Sequence, residues 1–419
     1  MIQTIRGFRD ILPGDTGRWQ TIEKTAIDLF HDFGFQEIRI PILEQTELFA
    51  RSIGEVTDIV EKEMYTFPDR KGDKITLRPE ATASIVRSYI QHKMYADDPV
   101  KKMYTIGPMF RRERPQKGRY RQFYQINAEV FGIASPYIDA QLILILSELF
   151  HRLGLTELKA HINSLGCVRC RPGFQAALRE FLASRQEHLC ENCIRRMDKN
   201  PLRTLDCKVP DCRQALENAP STLDHLCPDC AGHFEVVKQT LAAQNIDFTV
   251  DKTLVRGLDY YSKTAFEIQT TTLGAQSAVA GGGRYDALVR ELGGPEMPAI
   301  GFAIGFDRLA EILEQIDARN YAPDVDLFIV PLGDRAMEKA YFWSTALNLT
   351  GIRTETDFSG KSLKSLMKKA DKLCADHVLI VGDRELDENA LVLRNMTTKE
   401  QTQVPAETAV DFIRDHIKN

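Results

Sequence analysis

Phe110-Arg111-Arg112-Glu113-Arg114-Pro115-Gln116-Lys117-Gly118-Arg119-Tyr120-Arg121 runs directly into Gln122-Phe123-Tyr124-Gln125-Ile126-Asn127-Ala128-Glu129-Val130. Pro115 to Gly118 is turn chemistry. The residues before it (102–110) and after it (119–130) read as strands, so the stretch is an antiparallel hairpin. Six basic residues fall within the eleven positions 111–121, against one acid, Glu113. A charge run alone is ordinarily a solvated loop. Here the returning strand argues otherwise, because its period of two puts Gln125, Asn127 and Glu129 on one face. A polar row ending in a carboxylate, continuous with a basic hairpin, suits a pocket floor better than a core face. The positive turn suits a polyphosphate or the end of a nucleic acid.

Upstream, Trp19, Ile22, Ala26, Ile27, Phe30 and Phe33 recur at helical spacing from Thr16 to Phe33, and Gly34 stops that helix. Phe35 to Pro41 alternates like a strand, residues 73–78 read as another, and Thr82 to His92 as a helix. Thr76-Leu77-Arg78-Pro79-Glu80-Ala81-Thr82 places Glu80 and Thr82 where that helix begins, for which helix capping is the ordinary reading. Downstream, 167–245 changes character, with cysteine pairs, Asn and Pro punctuation, and an amphipathic stretch from Gly173 to Ala183. Strands resume at 248–250 and 263–270. Leu254-Val255-Arg256-Gly257-Leu258-Asp259-Tyr260-Tyr261 lies between them, and its Arg and two Tyr could be structural. Gly281-Gly282-Gly283-Arg284-Tyr285 could contact phosphate or adenosine, although a lone glycine run is a weak signal. A helix is expected over 285–292, a strand over 299–306, and an amphipathic helix over 307–316 carrying Arg308, which could face an anion or solvent.

After Asn320-Tyr321-Ala322-Pro323, strands at 325–331, 352–355 and 377–381 alternate with helices ending near 349 and 374, the pattern of a compact α/β domain. Lys361, Lys364, Lys368 and Lys372 form one basic stripe, or a solvated face. Four segments follow: 1–166, an inserted helical Cys-rich module 167–245, 246–322, and 323–419.

With 419 residues, two or three domains are expected. At 43% hydrophobic and 27% charged, the chain falls with globular proteins rather than disordered ones. A net charge of -5 gives no global attraction to nucleic acid, so such binding must come from local patches. The opening Met1–Gly7 has no apolar run behind its charges and no segment is long enough to span a bilayer, so the expectation is a cytoplasmic protein with no membrane partner.

Of nine cysteines, eight form four close pairs: Cys167/Cys170, Cys190/Cys193, Cys207/Cys212 and Cys227/Cys230. Thiols in a reducing compartment do not form stable disulfides, which leaves buried free thiols or metal ligation. Eight thiolates could form two tetrahedral Zn²⁺ sites, or one with spares. Any such zinc would be structural.

In combination and order these pieces resemble the class II aminoacyl-tRNA synthetases and, within them, the histidyl-tRNA synthetase family. Arg6-Gly7-Phe8-Arg9-Asp10-Ile11-Leu12-Pro13, Ile42 to Phe49, Ile53 to Val60 and Glu63 to Phe67 look like that family's opening. The Arg111 hairpin resembles class motif 2, the segment ending in Arg308 motif 3, and Arg256 to Tyr261 the histidine signature, with the Gly281 run as its companion. The likeness covers essentially the whole chain. It departs from many members of the family in its cysteine pairs.

The implied fold is α+β: an antiparallel-sheet catalytic core with helices, the inserted helical module, and a C-terminal α/β anticodon-binding domain. The implied function is that of a ligase in protein biosynthesis, acting on L-histidine, ATP with Mg²⁺, and tRNA(His). By the same resemblance Arg111 and Arg256 are catalytic, and Arg111, Arg119 and Arg308 bind ATP. Glu80, Thr82, Arg111, Gln125, Glu129, Arg256, Tyr260 and Tyr261 surround histidine, while Arg114 and Gln116 approach the tRNA acceptor end. The family's members of this type are homodimers, with residues 20–45 at the interface. The rival is a regulatory paralogue of histidine biosynthesis, which would typically lack the C-terminal domain and have an eroded Arg256 signature; both are intact here. A sensing domain of a kinase would need kinase motifs, and none is found.

Overall fold

The computed structural model describes the 419-residue chain except residues 54–56, 58, 117, 271–277, 317–320, 322–324 and 418–419, and the side chains of 61, 198 and 199. Gly54, Glu55, Val56, Asp58, Lys117, Asn320, Ala322 and Pro323, named above, lie outside the described residues, as does a boundary between 322 and 323. The chain divides into two compact units, Met1–Asn320 and Tyr321–Asn419.

The first unit is built on an eight-stranded sheet. Its order is Gln36–Glu37, Lys101–Phe110, Gln122–Phe131, Ala299–Gly305, Ala278–Arg284, Ser262–Thr270, Leu158–Ser164 and Phe248–Val250. The six inner strands pair antiparallel, and the two edge strands add in parallel. The central hairpin registers Lys101 on Phe131 and Phe110 on Gln122. Its returning strand keeps the period of two. Ile126, Ala128 and Val130 enter a large core that also holds Trp19, Ile22, Phe30, Leu142, Leu146, Phe302 and Ile312 from helices Pro13–Asp32, Pro136–Arg152 and Phe306–Ile316 and from a neighbouring strand. Trp19 stacks on Phe306 at 4.2 Å. Gln125, Asn127 and Glu129 therefore face the other side of the sheet. There helix Thr82–Gln91 and a second core, with Tyr89, Phe131, Tyr260, Tyr261 and Tyr285, wall off a cavity.

Arg284, Asp139 and His233 fasten the sheet to its helices. The fully buried Arg284 guanidinium meets Asp139 at 2.6 Å and donates to the Ile133 and Ser135 carbonyls. His233, on the insert's last helix, sits 2.7 Å from the same carboxylate. A buried ion pair holds when its remaining hydrogen bonds are made, as here.

Three expectations need correction. Only Gln36–Glu37 of the 35–41 run is strand; Ile38 still donates to Tyr104 O, but the Ile40 and Pro41 carbonyls accept from the Arg78 guanidinium instead. The returning strand starts at Gln122, not Arg119, because Arg121 N–H donates to Gly7 O instead. The 285–292 helix shrinks to Leu288–Glu291. The glycine run, left without an element by its sequence, forms an inner strand, Ala278–Arg284.

The inserted residues form helices Arg171–Ala183, Glu191–Lys199, Pro210–Ala215 and Pro228–Ala243. The second unit carries a five-stranded sheet in the order Thr354–Thr356, Leu327–Leu332, His377–Gly382, Leu391–Asn395, Gln401–Val404. Its first three strands run parallel and its last two add antiparallel. Of the basic stripe, Lys364, Lys368 and Lys372 stand exposed on helix Leu363–Lys372, while Lys361 precedes it and lies 3.6 Å from Asp357. No helix among the described residues is long and apolar enough to cross a membrane.

Candidate active site

One cavity of about 350 Å³ opens on the polar face of the first unit's sheet. Glu80, Thr82, Arg111, Arg119, Gln125, Arg256, Tyr260, Tyr261 and Arg308 all line it. Residues from five separated stretches of sequence thus converge on one space of ordinary ligand size. Arg114 and Gln116 stand exposed on the hairpin loop, where a tight turn closes through Gln116 and Arg119.

One wall carries Thr82 and Tyr285, and the deeply buried Glu129, not itself a lining residue, backs it. Glu129 is 1% exposed, accepts from Thr82 Oγ1 at 2.7 Å, and accepts a short hydrogen bond from the Tyr285 hydroxyl. Burial pushes its carboxyl up to about 8 in spite of those donors, with the nearby Glu80 adding to the rise. Its charge also reaches Tyr261, whose phenol is raised first by burial and held back by Arg256. Room for this carboxylate comes from Gly301 on the next strand, where a Cβ would stand 1.5 Å from Glu129 Oε2. Glu80 plays both roles considered for it. It caps helix Thr82–Gln91 by accepting from Thr82 N at 2.7 Å and Ala83 N at 2.9 Å, and it faces the cavity. Among the described residues Gln125 Oε1 and Asn127 Oδ1 are buried without a hydrogen bond. Such atoms are costly unless a ligand or water meets them.

The other end is cationic. Arg256 is held by Glu267 at 2.6 Å, and Arg111 by the Pro79 carbonyl at 2.9 Å while lying 5.3 Å from the Phe123 ring. Arg119 pairs with Glu113 at 3.3 Å, and Arg308 donates to Ala278 O at 2.5 Å. Burial and then the charge of Arg119 pull the Arg308 guanidinium below its ordinary value. Two like charges at one end of a cavity are repulsion that a bound anion would relieve. The glycine strand serves this end by leaving space. A Cβ on Gly281 would meet the Arg256 guanidinium at 2.3 Å, whereas one on Gly282 would meet the Gly301 carbonyl at 2.2 Å.

Several residues that shape this site had no local signal. Tyr285 was legible only as part of a glycine motif, and Gly301 only as one of the glycines of a strand. Arg9 donates to Asp307 at 2.8 Å, and the same carboxylate accepts from Tyr124 N at 2.7 Å. Glu311 accepts from the Tyr120 hydroxyl at 2.9 Å and from Gly118 N at 3.2 Å. The chain's start, the hairpin and helix Phe306–Ile316 are thereby tied together.

The eight paired cysteines form two clusters. Cys167, Cys170, Cys227 and Cys230 gather in one, and Cys190, Cys193, Cys207 and Cys212 in the other, with all ligand atoms of a cluster within 4.8 Å of one another. The first pair thus joins the last and encloses the middle two.

A family profile for histidyl-tRNA synthetases matches residues 7–309, and one for the anticodon-binding domain matches residues 326–416. The chain is 74% identical over 413 residues to the histidine–tRNA ligase of Desulforapulum autotrophicum, covering 99% of this chain and 97% of that one. It is 59% identical to the histidine–tRNA ligase of Desulfosudis oleivorans over 97% of this chain and 96% of the other. Among solved structures it resembles the apo histidyl-tRNA synthetase of S. aureus, at 36% identity and a TM-score of 0.83, covering 99% and 100% of the two chains.

Proposed function

Because this chain belongs to the histidyl-tRNA synthetase family, we propose that its cavity condenses histidine with ATP and then passes the histidyl group to the 3′ end of tRNA(His). Near-full-length identity to named ligases, together with the anticodon-binding match, favours the ligase over the regulatory paralogue. The observation that carries the reading is one cavity that pairs Glu80, Tyr260 and Tyr261, backed by the buried Glu129, with four guanidinium groups.

In the first step a histidine carboxylate oxygen attacks the α-phosphorus, and the bond to pyrophosphate breaks. Both reactants are anions, so positioning and charge neutralisation dominate. Arg111 bridges the carboxylate and the α-phosphate, Arg256 neutralises charge building at that phosphate, and Arg308 with Arg119 takes the distal phosphates. Glu129 and Tyr261 read the two imidazole nitrogens. Glu80, Thr82, Gln125 and Tyr260 surround the amino group and the ring approach. An apolar amino acid would leave these groups unpaired, which is how such a site discriminates. In the second step the terminal ribose hydroxyl attacks the acyl carbon and AMP leaves, with Arg114 and Gln116 near the acceptor end. Lys364, Lys368 and Lys372 offer the second unit's basic face to the anticodon stem.

Magnesium, which neutralises phosphate oxygens in this chemistry, would arrive on ATP. Among the described residues the cavity holds no cluster of three or more metal-ligating side chains, and Glu113 and Glu267 are committed to arginines. A cytoplasmic homodimer is the assembly we propose, the exposed Ile42 and Leu43 within residues 20–45 supporting that interface.

Histidine-dependent exchange of pyrophosphate into ATP, and charging of tRNA(His), test the assignment. Activity with histidine and not with other amino acids is expected; folded protein that exchanges nothing would overturn it. Gly281→Ala separates site from scaffold. The atoms it displaces are the far end of the Arg256 side chain, so the fold yields easily but the guanidinium leaves its place. Exchange should drop about 100-fold with little change in the urea midpoint. Gly282→Ala instead collides with backbone, and should lower stability by about 3 kcal/mol or more.

A further inference from the structure

The thiol clusters are not part of the cavity, yet each is built beside the segment that supplies Arg256, Tyr260 and Tyr261. In the first, Cys167 Sγ lies 3.7 Å from Cys170 Sγ and 3.9 Å from Cys227 Sγ; in the second, Cys190 Sγ lies 3.9 Å from Cys207 Sγ. A tetrahedral zinc with Zn–S arms of about 2.3 Å has S···S edges of about 3.8 Å. Disulfide sulfurs would stand at about 2.05 Å. Backbone donors also point at the sulfurs: Cys227 N–H at Cys170 Sγ, 3.2 Å, and Cys190 N–H at Cys212 Sγ, 3.0 Å. Donors of this kind favour a thiolate over a thiol.

Apart from its last helix, which packs on the sheet's core through Phe234, Val237 and Leu241, the module has little else to hold it. Its own buried core is Phe174, Leu178, Leu182, Leu189 and Leu216 with Cys193 and Cys212. A core of that size does not stabilise a fold without cross-links or metal.

Both clusters reach the signature loop. The first sits at the end of strand Leu158–Ser164, and Arg171, next to Cys170, donates a short hydrogen bond to the Tyr261 carbonyl. The second is continuous with the 3₁₀ turn Pro201–Thr204, since Cys207 N–H donates to Thr204 O. From that turn Arg203 donates to Asp259 Oδ1 at 3.0 Å and to the Gly257 carbonyl at 2.6 Å. Arg203 therefore grips the loop on both sides of Leu258, between Arg256 and Tyr260.

We propose that Cys167, Cys170, Cys227 and Cys230 hold one Zn²⁺, that Cys190, Cys193, Cys207 and Cys212 hold a second, and that the second site fixes Arg203 as a positioning residue for the histidine signature loop. On binding, each zinc displaces the thiol protons to solvent and leaves a closed, non-catalytic tetrathiolate site. Metal loading of the insert then sets how well the loop is ordered to receive histidine. The metal part stands apart from the enzymatic reading; the coupling to histidine rests on it.

Elemental analysis of the full-length protein, purified reduced, is the first measurement, with Co²⁺ substitution reporting tetrahedral thiolate bands. Two zinc per chain are expected. Cys167→Ser/Cys170→Ser and Cys190→Ser/Cys193→Ser should each leave one, and wild-type spectra carry the test if a variant does not fold. Fewer than two metal ions in wild type after zinc reconstitution, or sulfurs recovered as disulfides, overturns the two sites. Arg203→Ala should keep both metals and raise the KM for histidine about 10-fold while leaving the KM for ATP within about twofold. An unchanged KM for histidine in that variant overturns the coupling. Absence of exchange in metal-replete wild type would fault the enzymatic reading and not the metal sites.

Discussion

Arg256→Ala should lose about 10²–10³-fold in histidine-dependent pyrophosphate exchange, the scale reported for deleting one preorganised charge partner at a transition state. The loss should fall on kcat, because charge at the α-phosphate grows as the new bond forms. The fold should survive. Arg256 contributes no core packing; its guanidinium lies 6.0 Å from the Tyr261 ring centre and pairs with Glu267, and Gly281 supplies the space beneath it. Freeing Glu267 leaves one partly exposed carboxylate, still bonded to Gln269 at 3.0 Å. Arg256→Lys should recover little, since a point charge does not reproduce the guanidinium fork. Near-normal exchange by the alanine variant, at an unchanged unfolding midpoint, would remove Arg256 from the mechanism.

Glu129→Gln should raise the KM for histidine by about 10- to 100-fold, the span of a charge-assisted hydrogen bond worth 1.5–3 kcal/mol, with the KM for ATP barely moved. It should also abolish a pH dependence. In the wild type an imidazole N–H that docks on Glu129 favours the carboxylate, so histidine binding releases a proton below about pH 8 and tightens as pH rises toward it. Glutamine has no proton to release. Stability moves the opposite way. The carboxyl is raised from 4.5 to about 8 on folding, so the folded state holds the proton that the unfolded state gives up. The wild type therefore loses stability between about pH 4.5 and 8 and no further above it, by a few kcal/mol at roughly 1.4 per unit. The variant should escape that loss and become the more stable of the two near pH 8. Urea midpoints at pH 4.5 and 8 decide the matter; parallel slopes for both proteins would show that Glu129 is not held protonated.

The elements that could be read from sequence are those whose pattern is local. Gln122–Phe131 alternates cleanly because one face is core and the other is cavity, so Gln125, Asn127 and Glu129 declared themselves. Helix Pro13–Asp32 did so through its apolar stripe. Gln401–Val404 did not, because it is a short edge strand of polar, mostly exposed residues with no alternation to detect. The Gly281 run could not be assigned to an element for a related reason. Glycine normally marks a turn, and only the Arg256 head and the Gly301 carbonyl, far off in sequence, explain why side chains are missing from a strand. Family resemblance supplied most of the site, since no spacing joins Arg111 to Arg256. It did not supply Tyr285 as the donor to Glu129, nor the bond between Arg9 and Asp307 across 298 positions. Those depend on which strands lie side by side, and that is a property of the sheet. The cysteine pairs were plain, but their nesting was not, because four pairs can be matched in several ways until the backbone brings two together.

The absent side chains of Gly281 and Gly301 have a consequence for how this pocket can change. Space made by leaving atoms out can be filled by mutation but not enlarged, because glycine has nothing further to give up. New substrate preferences therefore cannot begin at these two positions, where an added carbon evicts a guanidinium or a carboxylate. They can begin instead at Tyr260, where a shorter side chain leaves Glu129 its Thr82 and Tyr285 donors and Arg256 its Glu267 partner.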